Sequence, residues 1–223
     1  MQLLNEHYQL RVAEPSDIPE IIQLFAQAFY CKLNAFNIDS TNPNQHRQLE
    51  AVWNSLACKK NSQQFVVTDN GKIIATFCLV IKENSFISNP FSKTPFWNYW
   101  RFGITHYIKQ KIFFSLFDYM PNENEAYLAH IAVLSSYQGH GIAYAILEWL
   151  TQYSKDVLKK AYLSLYVDIH HEGALYLYQK NGFYIEKEES SRLTQSIFHI
   201  QHWYYMLKKT GFMPTSSRKP RSR

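Results

Sequence analysis

The residues whose types and spacing could do chemistry are concentrated in "AHIAVLSSYQGHGIAYAILEWL", residues 129–150. An apolar strand end, Ile131, Ala132 and Val133, leads into two serines, then Gly139 and Gly141, then a run with helical apolar spacing. The chain has only seven glycines in 223 residues, so two in one turn carry information. A strand that ends in a slim turn and feeds a helix N-terminus makes an anion site. The first helical amides have no partner inside the helix, and the helix dipole adds partial positive charge. Glycine lets the backbone approach a phosphate closely. The spelling excludes two classes. A triphosphate loop needs Gly-Lys-Ser/Thr, which is absent. A dinucleotide fingerprint needs a third glycine where this chain has Tyr144.

Other reactive side chains are scattered. Cys31, Cys58 and Cys78 are odd in number and form no paired spacing. That argues against a disulfide framework and for a reducing compartment, so a cytoplasmic protein is expected. The histidine pairs His170/His171 and His199/His202 have no cysteine or carboxylate completing a ligand spacing, and no metal is expected.

The elements that must position the turn follow from pattern. "YQLRVAEPSDIPEIIQLFAQAFY" reads as a short strand, a Pro15 turn and a helix. Ser16 or Asp17 would cap it, and Ile18, Ile21, Ile22, Phe25 and Phe29 would form its apolar stripe. A second helix is predicted at about 44–60. The Asp69-Asn70-Gly71 cluster predicts a hairpin between two strands. Residues 85–121 begin as a Pro/Ser/Asn loop and become an aromatic helix from about Phe96. From there strands and helices alternate, which favours an α/β sheet containing a parallel pair.

Composition sets the outer bounds. Apolar residues make up 46% and charged residues 18%, the balance of a globular domain. No basic leader followed by an apolar run opens the chain, and no apolar run is long enough to span a bilayer. The net charge of +5 lies mostly in the last fourteen residues, which hold four basic and no acidic groups; the rest has 19 basic against 18 acidic residues. A nucleic-acid groove needs a basic folded face, so no nucleic-acid partner is expected, and 210–223 reads as a disordered basic tail.

What remains in the turn is Gln138, Gly141 and Ala143 in the pattern Q-x-x-G-x-A. It resembles the coenzyme A pyrophosphate loop of the GNAT superfamily of N-acetyltransferases. "LYVDIHHEGALYLYQKNGF" resembles the family's later motif: Ala174, Leu177, Tyr178, Lys180, Gly182 and Phe183 match in type and spacing, while His171 stands where the family usually has Asn. "LRVAEPSDIPEIIQLF" is similar to its opening strand and helix. The resemblance covers roughly 8–208. It implies a GNAT-like mixed, mostly antiparallel sheet with a splayed parallel central pair and helices on both faces, in a domain at 8–209.

The resemblance also implies functions. The strand at about 126–133 would part from that at 161–167 and admit the pantetheine arm, with backbone bonds from Ile131, Ala132 and Val133. The amides of Gln138, Gly139, His140, Gly141, Ile142 and Ala143 would hold the pyrophosphate of acetyl-CoA, with His171 at a further cofactor position. Ile142, Ile146, Trp149, Leu150 and Tyr153 would anchor the following helix. Tyr178 would protonate the leaving thiolate. Glu125, with Glu123 nearby, is the candidate base for an unidentified primary amine acceptor. Strict alternation puts Glu125, Tyr127, Ala129 and Ile131 on one face and Ala126, Leu128 and His130 on the other. His130 has a suitable ordinary pKa, yet by this reckoning it faces away from Glu125. The 85–121 segment would be a substrate lid, a dimer surface, a membrane-surface contact or simple core packing, and a monomer or homodimer is expected. The rival reading is a weakly catalytic acyl-CoA-binding protein that acts as an interaction module.

Overall fold

The computed structural model of the protein describes residues 2–3, 8–30, 33, 61–82, 119–190 and 202–213. The expected 44–60 helix, the aromatic segment up to residue 118 and the tail from 214 lie outside the described residues. Among these residues eight strands form one sheet: β1 (Gln2–Leu3), β2 (Gln9–Val12), β3 (Ser62–Asp69), β4 (Lys72–Ile81), β5 (Glu125–Val133), β6 (Tyr162–Asp168), β7 (Tyr184–Ser190) and β8 (His202–Lys209). Their spatial order is β1-β2-β3-β4-β5-β6-β8-β7. Every neighbouring pair is antiparallel except β5–β6.

That parallel pair is short. It runs from Glu125↔Tyr162 to Leu128↔Leu165 and stops. β5 continues to Val133 against β4, and β6 continues to Asp168 against β8. The two strands therefore part after Leu128 and Leu165, as the mixed, splayed architecture requires.

Local sequence explains most of the elements. β3 and β4 are joined by Asn70 (φ 48°) and Gly71 (φ 84°). Two successive left-handed residues make the tight turn whose twist matches a hairpin, and Asn-Gly is the pair that adopts it most easily. The first helix, α1 (Ile18–Ala28), buries Ile18, Ile21, Ile22, Leu24, Phe25 and Ala26. Asp17 precedes it, but its carboxylate is turned to Arg11, with bonds of 2.5 and 2.8 Å, and to the Glu14 amide at 2.7 Å. Burial works to raise its pKa; the Arg11 and Glu14 bonds win and hold it below the usual carboxylate value.

The second helix, α2 (Ile142–Asp156), lies on the opposite face from α1 and packs Ile142, Ile146, Leu147 and Leu150 into the main core with Leu79, Ala126, Leu128, Leu163 and Leu165. Burying a side chain of this size contributes roughly 1.5–3 kcal/mol. Trp149 and Tyr153 stack on each other at 4.6 Å and meet Phe65 edge-on. The third helix, α3 (Glu172–Lys180), shares that face. Lys208 on β8 bonds Glu148 of α2 and Asn181 at the end of α3, both at 2.8 Å, and Asn181 bonds Glu148. Thr210, just past β8, is buried, and its amide bonds Ala161.

Candidate functional site

β5 does not keep strict alternation. Cys78 on β4 pairs with His130, and Leu79 pairs with Leu128, so Ala129 is an extra residue on β5. A bulge of this kind reverses which face each later side chain takes. Ile131 and Val133 join Ala126 and Leu128 against the main core. His130 turns to the other face, where its ring meets Phe25 of α1 edge-on at 5.5 Å. The expectation that Ile131 shares the face of Glu125 and that His130 opposes it is therefore corrected. The bulge sits where β5 leaves β6. Burial pushes the His130 imidazole down to about 3, so it stays neutral through the physiological range.

Past the parting, β5 runs into the glycine turn. The Leu134 amide bonds the Ile74 carbonyl at 2.8 Å. A short helical turn, Ser135–Tyr137, follows, and the Tyr137 hydroxyl bonds Asp69 of the hairpin at 2.9 Å. Gln138 returns its side-chain amide to the Val133 carbonyl at 3.0 Å, and His140 Nδ1 lies 3.0 Å from the Gln138 carbonyl. Gly139 (φ 81°) and Gly141 (φ 77°) are both left-handed. A Cβ at either would meet no atom within 4 Å, so it is the dihedral, not crowding, that calls for glycine. Gly141 is the N-terminal flank of α2, and the first helical bond runs from the Ala145 amide to the Gly141 carbonyl at 2.9 Å. The amides of Ile142, Ala143 and Tyr144 lie ahead of that bond. Gln138, Gly139, His140 and Gly141 are exposed, whereas Ile142 is buried and anchors the turn. The turn thus places exposed residues at the positive end of a fifteen-residue helix, while the Gln138 amide itself donates to the Ser135 carbonyl at 3.3 Å.

Tyr178 of α3 is buried on the α2 face, its ring 5.8 Å from Phe183. Burial pushes its phenol up to about 12, so it is protonated at neutral pH. Gly182 (φ 90°) ends α3 and returns Phe183 to the core. His171 is exposed and caps α3, its Nδ1 accepting from the Ala174 amide at 3.1 Å. Of the other histidines, His170 is exposed, and His202 lies 2.7 Å from Glu188. Among the described residues no group of three or more His, Cys, Asp and Glu is placed to hold a metal.

Glu125 lies on the other face, 3% exposed. Its Oε1 accepts from the Ser164 hydroxyl and from the Tyr205 hydroxyl at 2.6 Å. Its Oε2 accepts from the Asn122 amide at 2.9 Å, the Asn122 side chain at 3.2 Å and the Tyr119 hydroxyl at 3.4 Å. Around it Tyr119, Tyr127, Tyr166 and Tyr205 pack ring against ring at 4.8–6.2 Å. Glu125 and Tyr178 are thus on opposite faces, with the parting of β5 and β6 between them. Sequence reasoning missed Tyr119, Ser164 and Tyr205. The one local signal was Ser164, the only small polar residue in the run "AYLSLYV". Glu123, the alternative base, is exposed and pairs with Lys82 at 3.1 Å.

A strand parting from its parallel neighbour just before a glycine turn is the arrangement that the resemblance to the GNAT superfamily implies. The model of the acetyltransferase (GNAT) family matches residues 19–183. The chain belongs to the GNAT family. No curated protein matches it in sequence. Among solved structures, a chimeric spermidine N-acetyltransferase built from the Vibrio cholerae enzyme is similar, with a TM-score of 0.60 and 18% identity over 92% of this chain and 96% of that one. The Vibrio cholerae spermidine N-acetyltransferase in complex with CoA and spermine gives 0.59 and 18%, over 93% and 98%. At these identities the likeness speaks for the fold. As a GNAT protein the chain is an acyltransferase that uses acetyl-CoA. No helix among the described residues is long and apolar enough to cross a membrane.

Proposed function

We propose that the protein transfers an acetyl group from acetyl-CoA to a primary amine by direct attack within a ternary complex. The observation that carries this reading is the parting of β5 and β6 directly upstream of the two left-handed glycines. It leaves the backbone of Ile131, Ala132 and Val133 without a β6 partner, so an extended pantetheine arm can take the place of a strand. The diphosphate would rest on the amides between Gln138 and Ala143. His171 caps α3 through Nδ1, which leaves its exposed Nε2 as the group that would reach the cofactor.

Tyr178 is the candidate general acid. Its phenol stays protonated at neutral pH, and among the described residues no hydrogen bond occupies its hydroxyl, leaving it able to donate to the departing thiolate. Glu125 is the candidate base, and backbone amides of β5 would support the oxyanion. None of the three cysteines lies in these motifs, which favours direct transfer over an acyl-enzyme and, by its scattered spacing, a cytoplasmic setting. The proposed catalytic domain spans 8–209. Spermidine and spermine are the first acceptors to try, because the similar Vibrio cholerae enzyme was solved with spermine.

The test is release of free CoA from acetyl-CoA in the presence of a panel of primary amines headed by spermidine. Turnover with any member supports the assignment. Tight acetyl-CoA binding with no turnover across the panel would replace it with the non-catalytic binding reading.

A further inference from the structure

Resting on the acetyltransferase reading, we infer that Tyr119 relays the acceptor's proton to Glu125, whose carboxylate does not meet the amine directly.

Three observations carry this. First, Glu125 is out of reach. It is 3% exposed and lies three residues before Leu128, the last β5 residue paired with β6, about 10 Å along the strand from the parting. Second, both its oxygens are engaged by five donors, and the route a proton takes to such a carboxylate runs through one of them. Two of the donors are amide N–H groups of Asn122, which hold Oε2 but do not pass protons. Ser164 is fully buried and Tyr205 is 5% exposed. Among the described residues Tyr119 is the one hydroxyl donor to Glu125 that is half-buried rather than buried. Third, Tyr119 leads the right way. Its ring lies 5.6 Å from that of Tyr166, the first β6 residue past the last pair with β5.

The proton balance is simple. As the amine nitrogen gives up its proton to Tyr119 Oη, the phenol proton passes to Glu125 Oε2. The phenol ends neutral, Glu125 ends protonated, and the amine ends neutral and able to attack. Burial raises the Tyr119 phenol above its ordinary value, so the two transfers are coupled and no free phenolate forms. The 3.4 Å separation suits a relay that tightens once the acceptor is bound, since catalytic hydrogen bonds are often long in unliganded structures. Tyr205, 3.4 Å from the Tyr119 hydroxyl and 2.6 Å from Oε1, and Ser164 are positioning residues that fix the far carboxylate oxygen.

Other groups face this cluster. Tyr127 stands on the same strand and Tyr166 on β6. From β7 come Lys187, with its ammonium 5.0 Å from the Tyr205 ring centre, and Glu189, which bonds Tyr166 at 2.9 Å. Lys187 and Glu189 pair with each other, so they add little net field as pH changes through neutrality.

The experiment is the pH profile of kcat/KM for spermidine, or for whichever panel amine the protein acetylates, in the full chain and in Tyr119→Phe. The phenylalanine keeps the ring contacts and removes only the relay. Its deficit should be at least tenfold near pH 6.5 and should shrink to less than threefold near pH 9.5, where neutral amine is plentiful. Fluorotyrosine at position 119, which keeps shape and hydrogen bond but acidifies the phenol, should move the acid limb of the profile; this second variant also serves if the phenylalanine protein folds poorly. Parallel profiles for Tyr119→Phe and wild type, no deficit at any pH, or an unmoved acid limb in the fluorotyrosine protein would overturn the relay while leaving acetyl transfer intact. A wild type that binds acetyl-CoA and acetylates nothing in the panel overturns the transferase reading itself, and the relay with it.

Discussion

On the α2 face of the parting, the chain offers backbone. Two left-handed glycines and the first amides of one helix make up the proposed anion site, all within residues 138–144. On the α1 face it offers side chains. Glu125 is held by Tyr119 and Asn122 from the chain just before it, by Ser164 thirty-nine positions away on β6 and by Tyr205 eighty positions away on β8. The first region is built from consecutive residues and depends on dihedral angles. The second depends on four segments arriving in register. A backbone site tolerates most side-chain changes and fails at glycine; a side-chain site fails at any of its members, in graded fashion.

The largest expected effect breaks the first region. Gly141→Asp places a side chain at φ 77° and a carboxylate where the diphosphate would rest. Acetyl-CoA at 100 times its Kd should stabilise the wild type by about 2.7 kcal/mol. The variant should lose that thermal shift, whereas Gly141→Ala should be strained but keep part of it. Equal shifts in wild type and the aspartate variant would remove the phosphate-loop assignment.

Next in size is a pH effect at the hinge between the regions. His130 has a folded-state pKa near 3, below the ordinary 6.5, because burial disfavours its cation. Protonation therefore favours the unfolded chain. The stability is fully present above about pH 6.5 and is lost as pH falls from there toward 3, amounting to about 2 kcal/mol by pH 5. Melting temperatures across pH 4–8 should fall on the acid side in the wild type, and His130→Gln should flatten that slope. An identical slope in both proteins would place the acid sensitivity elsewhere.

Tyr178→Phe sharpens the comparison from the α2 side. It removes one hydroxyl and leaves the ring against Phe183. The kcat should drop by at least roughly tenfold, about 1.4 kcal/mol, with acetyl-CoA affinity little changed by calorimetry. An unchanged kcat where chemistry limits turnover would make Tyr178 a packing residue. The smallest effect tests the helix cap. His171→Ala should cost about 1 kcal/mol of stability, while His171→Asn should hold it, because an Asn oxygen can accept from the same Ala174 amide. Urea midpoints of the three proteins decide this, and equal midpoints would deny the cap its role.

The order of elements was legible because each rests on short-range rules. Asn70-Gly71 specified its hairpin through two positive φ values, and the apolar spacing of α1 and α2 announced their buried faces. The glycine turn and the helix N-terminus that follows it could be read before any coordinates, since neighbouring residues alone make them. The identity of the helix cap at His171 was not legible: histidine is an uncommon cap, and its Nδ1 bond is a choice among several that an imidazole could make.

Sequence by itself determined the class of fold and the place of the glycine turn, both written in spacing along one stretch of chain. Tertiary structure alone decided which face each later β5 side chain takes and what surrounds Glu125. The bulge at Ala129 arises from the pairing of β5 with β4, which no residue of β5 announces, and one extra residue was enough to bring His130 to the face of Glu125 and send Ile131 to the core. The donors around Glu125 are brought together by strand order β5-β6-β8, with β7 outermost. Hydrogen bonds reach only about 3 Å, so contacts between residues eighty positions apart exist only once the sheet has set the register.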